Sequence, residues 1–519
     1  MKYFNISGPC DSAKHYMIDA STRLKGVERL IDTEQYFVIH AARQSGKTTY
    51  LKNLAERLNA EGKYYALYCT LEGMQGVEDP EKGIPEIVRK IKNVLWLSDI
   101  PQKAAFAQNA DYDNFTGVLN MALTLFCMKL DKPLVILFDE ADCLSENTLI
   151  SFLRQLREGY NNRSSTIPFV HSVALVGMRN IRDYKAKVRP ESHTLGSASP
   201  FNIVTESMVL KNFTQDEIAQ LYRQHTDETG QIFEEDAIEL AWEQTQGQPW
   251  LVNAIAREVI VKMLQSDYAK PVTATLVMEA IQTIILRRDT HIDSLLERLK
   301  EERVRKVIEP MISGDDFFGR LTDDFSYVKD LGLIVEIQGR LIPSNPIYGE
   351  VIARTLSHDT QQVMLQNPNS RSMPRYLKDG RIDMERLMQD FQQFWRENSD
   401  IWVEKYDYRE AAPHLILMAF FQRVVNGGGQ IIREMAAGTG RLDICIAYEN
   451  QKYPVEIKVW RGEKSLQEGL VQTRRYMDVC GAPEGWLAIF DRRKNSKWED
   501  KIYLKKEAVD GKTVTVVGL

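Results

Sequence analysis

Nothing in this 519-residue chain is apolar for long enough to cross a bilayer. Its longest apolar runs, "PLVILF" and "LILMAFF", fall far short of the roughly 20 residues a membrane helix needs. The N-terminus, "MKYFNISGPCDSAKHYMIDA", has no extended apolar segment and so reads as no secretory signal. Cysteine is scarce: Cys10, Cys69, Cys127, Cys143, Cys445 and Cys480 are widely spaced, with no Cys-x-x-Cys pair. That spacing excludes a disulfide framework and paired zinc ligands, and fits reduced thiols. The expected compartment is the cytoplasm, with no membrane partner. Excess charge is missing too. A formal net charge of -6 gives no whole-molecule field for nucleic acid, so any such contact needs a local basic surface. Internal repeats and low-complexity tracts are absent. What remains is ordinary globular material, 44% hydrophobic and 27% charged, with length for about three or four domains.

From Gln35 to Leu210, short β-rich runs alternate with amphipathic stretches. "YFVIH", "YYALYCTLE", "PLVILFDE", "FVHSVALVG" and "FNIVTESMVL" read as strands, with helices such as "TTYLKNLAERLNAEG" and "NTLISFLRQLREGY" between them. Strand–helix alternation predicts a parallel sheet. From Thr214 to about Arg288 the β signal disappears, and segments with an acidic first turn and a closing Gly predict helices. Residues 294–356 read as a helix followed by a hairpin turning at Gln338-Gly339, the order of a winged helix. Its "SGDDFFGRLTDDF" face is acidic, which favours a structural or partner-binding role over DNA contact. "SHDTQQVMLQNPNSRS" reads as a linker, followed by the amphipathic "DMERLMQDFQQFWREN".

"YFVIHAARQSGKTTYLKNLAERL" sets a strand, a small-residue turn and a helix in the order a phosphate loop requires. The turn from Ala41 through Arg43, Gln44, Ser45, Gly46, Lys47, Thr48 and Thr49 would cradle phosphates on its N–H groups. Lys47 would reach the terminal phosphates, and the Thr48 hydroxyl would ligate Mg2+. Ala41 stands where the pattern GxxxxGK[ST] has its first Gly. "PLVILFDEADCL" supplies the matching acids: Asp139 for the metal, and Glu140 to polarise the attacking water. The chain resembles STAND-type and origin-recognition-like AAA+ ATPases over roughly residues 1–355. "VALVGMRN" places Arg179 like a sensor arginine, and "GQPWLVNAIAREV" carries a Gly-x-Pro motif at Gly247 and Pro249. The resemblance implies an ATP-driven switch with Arg179 facing the γ-phosphate and Pro249 near the base. Arg154, Arg157 or Arg163 would then be the residues to serve a neighbouring subunit, although a solvated helix face is the favoured reading of those three. Nucleotide-dependent homo-oligomers follow from the same resemblance.

A second group of charges lies in "GRLDICIAYENQKYPVEIKVW". Glu456 and Lys458 are two apart in a strand and so share a face, and a turn near Asn450 brings Asp443 almost opposite them. Two carboxylates and an ammonium on one patch suit Mg2+ or Mn2+, which accept a phosphate oxygen as a further ligand. With its surroundings, this resembles a PD-(D/E)xK nuclease of the RecB type, with Leu442 in place of the usual proline. The resemblance implies Glu410 as a further acidic residue, for which Glu434 is an alternative. It also implies a Gln472-x-x-x-Tyr476 helix, with Arg474 and Arg475 meeting phosphates. A degenerate, non-cutting domain and a simple surface ion pair stay open beside it.

The expected fold is therefore α/β and multidomain. A P-loop NTPase core with a parallel sheet (1–210) leads to a helical lid (211–293) and a winged helix (294–356). A linker and connecting helix (357–400) then reach a restriction-endonuclease-like α/β domain (401–519). The expected activity is ATP hydrolysis controlling Mg2+-dependent cleavage of DNA, with RNA undistinguished, in defence or the control of mobile elements. Catalytic roles fall to Glu140, Asp443, Glu456, Lys458, Glu410 and Gln472, and metal binding to Thr48, Asp139, Asp443 and Glu456. A signalling or scaffolding ATPase that cuts nothing is the alternative.

Overall fold

Alternation within strand β1 (Tyr36–His40) organises the first part of the chain. Tyr36 and Val38 enter one apolar cluster, Phe37 and Ile39 another, and the whole strand is buried. Burial on both faces marks a parallel strand covered by helices on both sides. The computed structural model describes residues 1–108, 110–178, 203–287, 290–312, 323–337, 340–352, 355, 376–378, 381–405, 416–418, 420–421, 429–437, 440–448, 451–491, 493 and 497–519. For 290, 309–310, 312, 340, 397–405, 429–437 and 440–443 it gives the backbone alone. The described residues fall into two units, one within 1–291, 321–335 and 344–346, the other within 292–320, 336–343 and 347–519.

In the first unit β1 is joined by β2 (Tyr65–Thr70), β3 (Leu134–Asp139), β4 (Ser172–Gly177) and β5 (Val204–Val209), all parallel, in the order β2-β3-β4-β1-β5. Helices α1 (Val27–Asp32) and α2 (Lys47–Glu61) cover one face; α3 (Pro80–Leu97), α4 (Val118–Cys127) and α5 (Glu146–Asn162) cover the other. All five strands read from the sequence are present. The strand–helix–strand crossovers that a parallel sheet requires bring the C-terminal ends of β1 and β3 to one edge.

The helices expected after Thr214 follow: α6 (Gln215–Thr229), α7 (Glu235–Thr245), α8 (Pro249–Arg257) and α9 (Ala274–Arg287). A reciprocal capping box, Thr214 with Glu217, starts α6. Between α7 and α8, Gly247 has φ +71°, and a Cβ there would stand 1.9 Å from the Phe213 carbonyl oxygen. Only glycine lets the turn lie against that backbone. Helices α10 (Thr290–Leu299) and α11 (Glu302–Ile312) come next in the chain. Helix α12 (Asp323–Asp330) belongs to the first unit, and strands β6 (Ile334–Ile337) and β7 (Arg340–Pro343) follow it. The expected turn at Gln338-Gly339 and the linker at 357–372 lie outside the described residues.

Short strands β8 (Leu377–Lys378) and β9 (Arg381–Ile382) precede the main body of the second unit, which is a mixed sheet. It is built from β10 (Gly429–Ala437), β11 (Gly440–Tyr448), β12 (Gln451–Val459), β13 (Glu484–Phe490), β14 (Tyr503–Val509) and β15 (Lys512–Gly518), in the order β10-β11-β12-β13-β15-β14. Helix α13 (Met384–Lys405) sets Phe391 and Trp395 against Phe490 on one face. Helix α14 (Glu463–Cys480) packs Leu470 and Met477 against Leu487, Ile489, Val514 and Val516 on the other. Strand β15 has no counterpart among the strands read from the sequence. It inserts between β13 and β14, because a parallel run beside β13 is better buried than the alternating, half-exposed β14. Among the described residues no helix is long and apolar enough to cross a membrane, and all six cysteines are free.

The turn at Gly247 gives a direct test of the first unit. Gly247→Ala must move the Phe213 backbone or distort a left-handed residue, and should cost at least about 2 kcal/mol. A lower urea midpoint, followed by circular dichroism, is the expected result.

Candidate functional site

The loop between β1 and α2 is shaped by two residues with positive φ, Gln44 at 57° and Gly46 at 94°. Gly46 begins α2 without a side-chain cap, so the first-turn N–H groups of the helix point out of its end. The Lys47 ammonium is buried and donates to the carbonyl oxygens of Ala41 and Ala42, each at 2.9 Å. Burial pushes its pKa below the usual lysine range, against the attraction of Glu140, Asp142 and Asp139. Among the described residues, the Ser45 hydroxyl and the Gln44 side-chain carbonyl are buried without a hydrogen-bond partner. Uncapped amides, an ammonium resting on backbone carbonyls and an orphaned buried hydroxyl form a donor set that fits a polyphosphate. Arg43 is exposed at the rim, and Thr49 turns away from it, its Oγ1 accepting the Cys10 N–H at 2.9 Å.

Across the loop, β3 ends in the acids. Thr48 Oγ1 donates to Asp139 Oδ2 at 2.6 Å, and the Glu140 N–H donates to Oδ1 at 3.0 Å. The structure thus joins the two residues expected to hold a metal. Glu140 follows with φ 54°, a left-handed conformation uncommon outside glycine, which aims it out of the strand. Burial raises its carboxyl pKa above the ordinary value; Asp142 and Asp139 push it further up and Lys47 pulls it down. Two residues with no motif support the site. Asp142 accepts the Met178 N–H at 3.0 Å, tying the turn after β3 to the end of β4. Tyr68, in β2, donates to Asp139 Oδ2 at 3.0 Å. Sequence patterns miss both because neither spacing nor periodicity marks them.

Arg179 lies outside the described residues. Pro249 is buried in the first turn of α8, and Gln248, which caps that helix through the Leu251 N–H, reaches the Arg43 carbonyl at 3.4 Å. Beside it Trp250 stacks on His291 at 4.7 Å, and burial near Arg43 pushes His291 down to about 3. At the end of α12, Asp330 lies 3.8 Å from His40, and Gly332 packs so closely on Ala42 that a Cβ would come within 2.4 Å. Of the three arginines considered for a neighbouring subunit, Arg163 donates to the carbonyls of His171 and Glu34 and lies over Tyr160, which makes it a structural residue. Arg154 is exposed on α5.

In the second unit Lys458 Nζ donates to Glu456 Oε1 at 2.7 Å. Glu456 is 2% exposed, whereas the Lys458 side chain is 26% exposed. Their register partners, Leu487 and Ile489, pack under α14, which puts the pair on that face. Gly469 allows the close approach: a Cβ there would meet Leu487 at 2.7 Å and Lys458 Cγ at 3.2 Å. Ile444 pairs with Val455, so Asp443 and Glu456 are each one residue beyond that pair on adjoining strands. Glu410 lies outside the described residues, and Glu434 is described as β10 backbone alone. Among the described residues no group of three His, Cys, Asp or Glu side chains is arranged to hold a metal ion. Among the described residues the Gln472 side-chain carbonyl is buried without a partner, and Tyr476 is buried one turn away. Arg474 corrects an expectation: it pairs with Asp478 and the Asp510 carbonyl, leaving Arg475 as the exposed arginine of α14.

No family model and no curated protein matches this chain. Among solved structures, a Walker-type ATPase of Pyrococcus abyssi is similar at 14% identity, covering 67% of this chain and 99% of its own, with a TM-score of 0.46. RuvB of Thermotoga maritima, a Holliday junction branch migration motor, is 12% identical over 64% of this chain and 92% of its own, at 0.33. Cdc6p of Pyrobaculum aerophilum is 14% identical over 62% and 88%, also at 0.33. Scores at this level carry no weight for activity, so the functional reading stands on the loop and its acids.

The raised pKa of Glu140 has a measurable sign. A carboxyl whose folded pKa lies above its unfolded value of 4.5 costs stability once it is charged. That cost is complete above the folded pKa and gone below 4.5. Glu140→Gln should therefore melt at a higher temperature than the parent at pH 8 without nucleotide, with the difference narrowing as the pH falls towards 5. A difference that widens on acidification would contradict the burial assignment.

Proposed function

We propose that the first unit binds and hydrolyses Mg2+-ATP, and that the second cleaves phosphodiester bonds of DNA under its control. One observation carries the first half: the 2.6 Å hydrogen bond from Thr48 to Asp139, made beside a buried lysine on an uncapped helix start. In this reading the amides from Gln44 to Thr48 and the Ser45 hydroxyl take the phosphate oxygens. Lys47 leaves the Ala41 and Ala42 carbonyls for the terminal phosphates. Thr48 and Asp139 hold Mg2+, which neutralises charge on the phosphates when bound. Glu140 accepts a proton from the attacking water, a role for which a carboxyl of raised pKa is the better base. Arg179 and Pro249 keep their expected places at the γ-phosphate and the base. The contacts of Gln248 with Arg43, and of Gly332 with Ala42, let α8 and the end of α12 respond to the loop. This supports reading 211–293 as a lid and 294–356 as a winged helix, with nucleotide-dependent assembly as the mode of switching.

The second half rests on Glu456 and Lys458 at 2.7 Å, with Asp443 one residue from the nearest cross-strand pair. Asp443 and Glu456 would hold Mg2+ or Mn2+ with Glu410 nearby. Lys458 would orient the water, and Gln472 would hydrogen-bond within the site. The near-complete burial of Glu456 favours one competing reading, a scaffold that no longer cuts.

Turnover and cleavage separate these readings. Lys47→Ala should weaken ATP binding by about a hundredfold or more, and Glu140→Gln should retain binding while turnover falls about a hundredfold. Unchanged phosphate release in Glu140→Gln would remove that residue from the reaction. For the second unit, plasmid cleavage in Mg2+ or Mn2+ should fall at least about a hundredfold in Lys458→Ala and Asp443→Ala. ATP turnover with no metal-dependent cleavage by the parent chain would leave the scaffold reading.

A further inference from the structure

Tyr68 belongs to no motif, and its place in the sheet hides its reach. In β2 its register partner is Leu137, and Thr70 is the residue that pairs with Asp139. The Tyr68 hydroxyl nevertheless runs forward along the sheet to donate to Asp139 Oδ2 at 3.0 Å. That oxygen also receives Thr48 Oγ1 at 2.6 Å, and Oδ1 receives the Glu140 N–H at 3.0 Å. The carboxylate is 1% exposed and so depends on protein donors for its orientation.

We propose that Tyr68 is a positioning residue that fixes the Asp139 carboxylate for the Mg2+ of the bound nucleotide, an inference that rests on the Mg2+-ATP reading above. The donors differ in what anchors them. Thr48 belongs to the phosphate-binding turn, whose contacts change when an anion enters. Tyr68 belongs to the sheet, whose contacts do not. A hydrogen bond from the sheet keeps the plane of the carboxylate constant while Thr48 rearranges, which is how outer partners commonly set a metal ligand. One neighbour suits the phenol to the role: the Lys52 ammonium lies 5.4 Å from its ring centroid, which makes the hydroxyl a stronger donor. Without the hydroxyl, Oδ2 keeps Thr48 alone of these two donors, and the carboxylate loses the one donor anchored in the neighbouring strand while the Glu140 N–H still holds Oδ1.

The test is Tyr68→Phe in the full chain, which keeps the ring and removes one oxygen. Two quantities are titrated with Mg2+: the rise in melting temperature given by a non-hydrolysable ATP analogue, and ATP turnover. The half-saturating Mg2+ concentration should rise about tenfold in both. Binding of the analogue in EDTA and kcat at saturating Mg2+ should match the parent, the rise in melting temperature being taken from each protein's own nucleotide-free value. Recovery with excess Mg2+ is the signature that a general loss of packing would not give. Asp139→Asn provides the second arm: adding Tyr68→Phe to it should cause no further shift in the Mg2+ response. Identical Mg2+ titrations in the parent and Tyr68→Phe, or a loss of turnover that Mg2+ does not restore, overturn the positioning role and leave the ATPase reading intact. A parent chain that binds no nucleotide overturns that reading and the role of Tyr68 with it.

Discussion

A buried ammonium is the constraint around which the first unit is arranged. Lys47 sits at the start of a helix, where the amide dipoles already favour negative charge, and among the described residues its ammonium donates to the backbone carbonyls of Ala41 and Ala42. Burial lowers its pKa, which means the folded chain disfavours the charge it carries. The sheet and its two helical layers hold the turn in place around that buried ammonium. Glu140 shows the mirror image of that strain. It is a buried carboxyl in a left-handed conformation, raised in pKa and facing the same space. Both charged forms are thus held at a cost in the same space, the pattern in which perturbed groups mark a candidate site.

The acids of β3 and the turn of β1 are brought together by topology rather than by sequence proximity. Parallel strands connected through helices put the ends of β1 and β3 at one edge, with β4 between them, and the loop lies over that edge. Contacts then radiate from the loop within the first unit. Gln248 reaches it from α8, Gly332 closes on Ala42 after α12, and Cys10 bonds Thr49 from the N-terminal segment. Three separate stretches of chain therefore register the position of one turn. Two of those contacts depend on glycines with positive φ, Gly247 beside Gln248 and Gly332 itself, because any side chain would hold the backbones apart.

The second unit follows a different logic. Its sheet lies between α13 and α14, and the charged pair is placed under α14 by the same alternation that packs Leu487 and Ile489. Gly469 permits the helix to lie directly over the lysine stem, so the ammonium emerges at the margin while the carboxylate stays inside. That geometry suits a site approached from the edge of the sheet. It also explains why a two-residue spacing in the sequence says little alone: the spacing fixes a shared face, and the covering helix decides how much of that face meets solvent.

Local pattern was enough to determine the parallel sheet, its flanking helices, the phosphate turn and the hairpin of β11 and β12. These elements depend on periodicity, on glycine at fixed offsets and on acids at the end of an apolar run, all of which are contiguous in the chain. Strand β15 forms a contiguous hairpin with β14 and still escaped that reading; what no local pattern encodes is its insertion beside β13, more than twenty residues upstream. Tyr68, Asp142 and Gln248 escaped it for a related reason. Each acts on a residue far away in the sequence, through a distance and an angle that no spacing encodes. Tertiary structure alone decided which hydroxyl meets Asp139 and that Arg163 and Arg474 are committed to neighbours, because hydrogen-bond partners are set by the packing of whole elements and not by the identity of any one side chain.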